Sequence, residues 1–181
     1  EAENAALSAK YDGLLFSAAE IAEFKQIADA VDVDCVNAVS GQIASDLAIV
    51  LAALNDAADP ATTLLGMNYY NPYLSSWLEG EAGQELAVDA AQAVALLNGV
   101  LDTTYETAGI PVADVALAFA SDDFTTMVAT TQPAPNDMLP LNVNNVCEFT
   151  YMCDPEPRGP DIHANDAGYS LIADSFLSVL P

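Results

Sequence analysis

At 181 residues the chain is long enough for one domain with its own core and too short for two of ordinary size. Hydrophobic residues make up 52% and the mean hydropathy is positive, which excludes a disordered chain despite its charge. Twenty-seven acidic residues face three basic ones (Lys10, Lys25 and Arg158), for a net charge of −24. Such a surface repels phosphate backbones and anionic membranes, so neither nucleic acid nor an anionic bilayer is expected as a partner. It fits either a protein kept soluble in salty surroundings or an ordinary extracellular surface.

In chain order the pattern alternates helices with short apolar segments. Ser17 followed by Glu20 is a capping-box pair that predicts a helix over Ser17–Ala30. From Ser40, Ile43, Leu47, Val50, Leu51 and Leu54 recur at helical spacing and predict one buried stripe, with Asn55-Asp56 and Asp59-Pro60 as its stop. The longest apolar run, Ala48–Leu54, is too short to cross a bilayer, and no membrane span is expected. Thr62–Tyr70 and Val112–Phe119 read as buried strands. Between them a helix over Gln84–Thr107 shows Leu86, Ala90, Ala93, Leu97, Leu101 and Tyr105 on one face, with Gly109 as its stop. A proline-rich loop, Pro133–Pro140, leads to a short helix over Val143–Phe149. The last helix, Ala167–Leu180, is expected to turn Ile172, Phe176 and Leu180 to a core. Strands separated by amphipathic helices favour a parallel sheet, although two strands are few for a complete one.

Five residues separate Cys147 from Cys153, a spacing that a short disulfide loop spans. Metal binding competes weakly, because the lone histidine lies ten residues on and no second cysteine pair exists. Cys35 is left with a partner outside the chain or as a buried free thiol. The acidic pairs Asp32/Asp34 and Asp122-Asp123 lack the ligand spacing of a calcium loop and read as solvated. No metal or cofactor is expected.

His163, the single histidine, sits directly before the last helix, where a loop can present an imidazole to a cleft at a sheet edge. Asp161, Asp154 and Asp166 are near enough in sequence to orient it as a general base. The aromatic set Tyr69, Tyr70, Tyr73 and Trp77 flanks Asn71-Pro72 at the expected C-terminal end of a strand. Most of these rings read as core, with Tyr70 and Asn71 kept as substrate-pocket candidates.

The run Asp161-Ile-His163-Ala-Asn-Asp-Ala-Gly168-Tyr169 before an apolar helix resembles the last sequence block of SGNH/GDSL hydrolases. Leu65–Leu74, the Val112–Phe119 segment and the Cys147–Cys153 loop also fall in the order seen in secreted actinobacterial-type members. The resemblance covers roughly Cys35 to the C-terminus. It implies an α/β fold, a three-layer α/β/α arrangement on a parallel, flavodoxin-like sheet, with residues 1–181 as one domain that is the C-terminal part of such a hydrolase. It also implies secretion, a small-molecule, lipid or carbohydrate ester as substrate, His163 as general base and Asp161 as its acid. A cysteine placed like Cys35 is joined in such members to the loop after the family's asparagine block.

Five departures accompany it. The family places the acid three residues before the histidine, where this chain has Pro160, and Ala164 replaces the usual following proline. No serine lies in a Gly-Asp-Ser context; Ser8 and Ser17 lie in Ala-rich helical sequence, and Ser40 precedes Gly41 at a helix start. The oxyanion-hole glycine and Gly-x-Asn-Asp blocks are also missing, and Asn55-Asp56 imitates the latter without its glycine. Together with an opening on Glu1, these gaps lead to the expectation that the enzyme's N-terminal third lies outside this sequence and that the chain alone is inactive. The competing expectation is a complete, non-catalytic acidic secreted protein of the same descent.

Overall fold

Ser17 and Glu20 hold the start of helix α1 (Ala18–Ala30) reciprocally in the computed structural model, which describes residues 17–30, 33–130 and 138–181. The Glu20 N–H donates to Ser17 Oγ at 3.3 Å, and the Ser17 N–H donates to Glu20 Oε2 at 2.8 Å. Lys25 of this helix reaches Glu85 at 2.6 Å.

Helix α2 (Val33–Ala57) begins well before Ser40. Its apolar stripe is buried at Leu51 only; Ile43 and Leu47 are half-buried, and Val50 and Leu54 are 52% and 48% exposed. Periodicity tells which face is apolar, whereas burial depends on what lies opposite, and α2 meets the rest of the described chain mainly along one helix. Two stretches, Val36–Ala57 and Pro72–Thr107, are long and apolar enough to cross a membrane by length and composition, with mean hydropathies of 1.4 and 1.2. Neither is one unbroken apolar run, because polar residues such as Asp46 and Asn98 interrupt each.

The expected strand Thr62–Tyr70 narrows to β1 (Gly66–Met67), and Thr62 and Thr63 are exposed. Gly66 lies against the face of Tyr105, where a Cβ would come within 2.7 Å of the ring. Asn71 then caps a 3-10 helix (Pro72–Glu79), its Oδ1 accepting from the Tyr73 N–H at 3.0 Å with Pro72 at the first position. This helix runs into α3 (Gly80–Thr107), which closes at Gly109 with φ +69°, a conformation glycine adopts without cost.

Strand β2 (Val112–Ala113) pairs in parallel with β1, Gly66 opposite Val112 and Met67 opposite Ala113. The expected Val112–Phe119 strand stops there because Asp114 Oδ1 accepts from the Leu117 N–H at 3.0 Å and starts the short helix α4 (Val115–Ala118). The 3-10 helix and α3 thus form the connection of one βαβ unit, as a parallel α/β fold requires. The described residues contain no larger sheet; their other strands form two antiparallel pairs.

One of these joins β3 (Met127–Ala129) to β4 (Met138–Pro140), the end of the proline-rich segment whose residues 131–137 lie outside the described ones. Helix α5 (Leu141–Phe149) follows at once, and Cys147 is disulfide-bonded to Cys153. The other pair joins β5 (Thr150–Tyr151) to β6 (Asp161–Ala164), ahead of the last helix α6 (Asp166–Val179). Ile172 and Phe176 are half-buried, but Leu180 falls past the helix and is 48% exposed.

The main core gathers Leu74 and Leu78 of the 3-10 helix, Leu139, Val143 and Val146, and the disulfide with Met152; Trp77 and Phe124 pack against it. Tyr69 and Tyr73 are 51% and 47% exposed, so of the aromatic set expected as core only Tyr70 and Trp77 are half-buried. Tyr70 stacks on the fully buried Phe119 with centroids 4.4 Å apart, and Phe119 meets Phe149 edge-on at 5.8 Å.

Candidate functional site

Two places gather the sequence candidates, both beside the segments that follow β1 and β2. The first is the β6 hairpin. Asp161 Oδ1 accepts from the His163 N–H at 2.8 Å and lies 2.5 Å from His163 Nδ1. A two-residue step along an extended strand returns the side chain to the same face, so a carboxylate two positions before the histidine can reach its ring. The His163 N–H and imidazole, in that order, hold the Asp161 carboxyl below its ordinary pKa. The carboxylate on Nδ1 leaves Nε2 free, and the imidazole is 69% exposed.

Asn165 anchors this hairpin to its surroundings. Its Oδ1 caps α6 by accepting from the Gly168 N–H at 3.0 Å, while its Nδ2 donates to the Glu148 carbonyl at 2.8 Å and the Thr150 carbonyl at 3.3 Å. Gly168 sits so close to the Phe149 carbonyl that no side chain fits between them. From the other side the Tyr70 hydroxyl donates to the Ile162 carbonyl at 2.6 Å. Burial raises the Tyr70 pKa, and Tyr169 adds to the rise. Tyr70 therefore fastens the histidine strand to the loop after β1.

The alternative orienting acids are engaged elsewhere or stand apart. Asp154 is buried and ion-paired with Arg158 at 2.5 Å, and Asp166 lies in the first turn of α6. Among the described residues no serine hydroxyl is hydrogen-bonded to His163. Asn55 and Asp56 lie inside the last turn of α2. Cys35 lies in α2 with its side chain outside the described residues, as do Ser8 and Asp32 altogether. Asp123 is bound locally: its Oδ1 accepts from the Thr126 N–H and from the Thr125 N–H and hydroxyl, and Thr126, then Thr125, hold its carboxyl down to about 2. No group of three or more His, Cys, Asp or Glu residues suited to a metal exists among the described residues.

The second place is a cavity of about 320 Å³ at the C-terminal ends of β1 and β2, walled by α3. Asn71 lines it and is fully buried; Tyr70 does not line it. Asn68, Asn98, Asp102 and Ser121 also line it and were not singled out from sequence. Asn98 carried a readable signal, since an asparagine in mid-helix has poor intrinsic propensity and needs a tertiary reason to be there.

Comparisons of the chain with family models, curated proteins and solved structures gave no match.

Proposed function

We propose that the chain carries the histidine–carboxylate half of a secreted serine ester hydrolase of the SGNH/GDSL type. The observation that carries the reading is the Asp161 carboxylate on His163 Nδ1, with the imidazole open to solvent. In that arrangement the carboxylate fixes the tautomer that has Nε2 as the base. Nε2 takes the proton of a serine hydroxyl as its oxygen attacks the ester carbonyl. The same proton then passes to the leaving alkoxide, and a second cycle with water frees the acid. The acidic surface and the disulfide support a secreted setting. The flavodoxin-like three-layer sheet belongs to the same proposal, with the β1–β2 pair as two of its parallel strands.

A serine and oxyanion donors are further requirements, and one oxyanion donor alone is worth about 2.7–4 kcal/mol of barrier. The 181-residue chain is accordingly expected to turn over p-nitrophenyl acetate no faster than its His163→Ala variant. The deciding test is the reading frame upstream of the Glu1 codon and the activity of its product. A Gly-Asp-Ser block there, with ester turnover lost on His163→Ala, would support the proposal. Turnover indifferent to His163, or a secretion signal cleaved directly before Glu1 and an inactive product, would overturn it and leave the non-catalytic reading.

A further inference from the structure

Asp102 of α3 and Asp114 of the turn after β2 meet at one shared amide. Asn68, 3% exposed, donates through Nδ2 to Asp114 Oδ1 and accepts at Oδ1 from the Ala116 N–H, each at 2.9 Å. The same Asp114 oxygen accepts from the Leu117 N–H at 3.0 Å. Asn68 and Asp114 together therefore hold the first turn of α4. Asn68 also supports the charged form of Asp102, which brings a second carboxyl to the same side chain. Asp102 Oδ1 itself is shielded from solvent and has no hydrogen-bond partner. On a shielded carboxylate oxygen without a donor, nothing replaces the hydration lost on folding.

Among the described residues no opposite charge offsets it. Asp114 and Asp122, the other charged groups lining the same cavity, are both acidic. Tyr105 and Glu106 follow within a turn on α3, and the segment after β1 carries Tyr69 and no charge. Helix α2, packed along α3, carries Asp34, Asp46 and Asp56 and no basic residue. Helix α1 meets α3 through Lys25, which is bound to Glu85. Arg158 is bound to Asp154, and His163 to Asp161.

We propose that Asp102 is a proton-linked latch between α3 and the first turn of α4. With its proton, the carboxyl sits beside Asn68 and Asp114 without repulsion, and the turn is held. Without it, two carboxylates press on one amide, and the Asn68–Ala116 and Asp114–Leu117 hydrogen bonds loosen. Burial raises the pKa of Asp102, the Asn68 hydrogen bond opposes the rise, and the Asp114 charge adds to it. The latch is therefore fully set below the unfolded aspartate pKa of about 3.9 and is released as pH rises through the folded value. This is the reverse of the Asp161 case, where the folded value is lowered. Ala116 and Leu117 line the cavity, so acid firms that wall and neutrality relaxes it. The inference stands without the ester-hydrolase reading, since it rests on residues other than Asp161 and His163.

The test compares the 181-residue chain with its Asp102→Asn variant, which keeps the shape and is neutral at every pH. Carboxyl-carbon NMR should place the Asp102 midpoint above the free-aspartate value of about 3.9, with the Asn68 side-chain amide shifting at the same midpoint. Amide exchange reads the latch itself. Protection of the Ala116 and Leu117 N–H groups in the parent chain, relative to the variant at the same pH, should fall as pH rises through that midpoint. Asp122→Asn removes another negative charge beside the cavity and should leave that pH-dependent difference in place, which separates a latch from general relief of charge on an acidic chain. Should Asp102→Asn not fold, the Asp102 midpoint and the Asn68 amide of the parent chain decide alone. An Asp102 midpoint at or below that of a free aspartate, an Asn68 amide indifferent to it, protection that runs parallel in parent and variant, or an equal effect from Asp122→Asn would each overturn the proposal.

Discussion

Asn98 grips the backbone of Tyr69 at both of its polar groups: Oδ1 accepts from the N–H at 2.9 Å and Nδ2 donates to the carbonyl at 2.8 Å. One side chain on α3 thereby stands in for the strand neighbour that the chain loses when β1 ends at Met67. It sets the path of the segment carrying Tyr70 and Asn71, and so shapes both the histidine hairpin and the cavity.

Asn98→Ala is therefore expected to cost about 1–3 kcal/mol, the loss of two part-buried hydrogen bonds to the Tyr69 backbone. Urea unfolding checks it: the midpoint should fall with little change in slope. A loss within the few tenths typical of surface substitutions would show that Tyr69 holds its course without the clamp.

The Asp161–His163 contact makes an acid-range prediction. The carboxyl of Asp161 is depressed when folded, so its stabilising contribution is full above the unfolded aspartate pKa of about 3.9 and disappears as pH falls through the folded value. The stability contributed by the Asp161 carboxyl therefore decreases on acidification through that range. His163→Ala removes the ring but keeps the N–H, the larger of the two influences, so the Asp161 midpoint should rise only part of the way to that of a free aspartate. Carboxyl-carbon NMR titration of both proteins reads it; identical midpoints would mean that the ring does not hold the carboxylate.

Gly168 makes a separate prediction about how the histidine is positioned. A Cβ at this position would collide with the Phe149 carbonyl, a backbone atom that cannot rotate away. Gly168→Ala should cost about 1–3 kcal/mol as an overpacking change. Because Asn165 caps α6 on the Gly168 N–H and ties it to Glu148 and Thr150, the displacement should also weaken the Asp161–His163 hydrogen bond. Thermal melting measures the first effect, and the Asp161 titration midpoint, moved upward, measures the second.

Local chemistry was legible in the sequence, and non-local covering was not. Ser17 with Glu20, Gly109 and the Cys147–Cys153 spacing each act within a few residues, and each performs in the structure as its pattern implies. Asp161 reaching His163 is equally local. The strands were overread because β-favouring composition in Val112–Phe119 lost to one side-chain cap at Asp114. The α2 stripe was overread because nothing along Val50 and Leu54 says what faces them. The cavity escaped notice since Asn71, Asp102 and Ser121 are brought together by the βαβ crossover and are widely separated in sequence.

The disulfide supports the last prediction. Cys147 and Cys153 are 1% and 3% exposed and sit in the main core with Leu74, Leu78 and Val146. The bond closes a loop with a sequence separation of 6, for which the chain-entropy relation gives about 2 kcal/mol. Replacing both cysteines by alanine adds the loss of two buried sulfurs from a close-packed cluster, so the pair variant should lose more than reduction alone. Urea unfolding of the oxidised, the reduced and the doubly substituted protein separates the two contributions. The histidine hairpin follows this loop directly, through the Asp154–Arg158 ion pair. Reduction should therefore also loosen the Asp161–His163 contact, read as an upward shift of the Asp161 midpoint. An unchanged midpoint in the reduced protein would assign the positioning of His163 to Asn165 and Tyr70 alone.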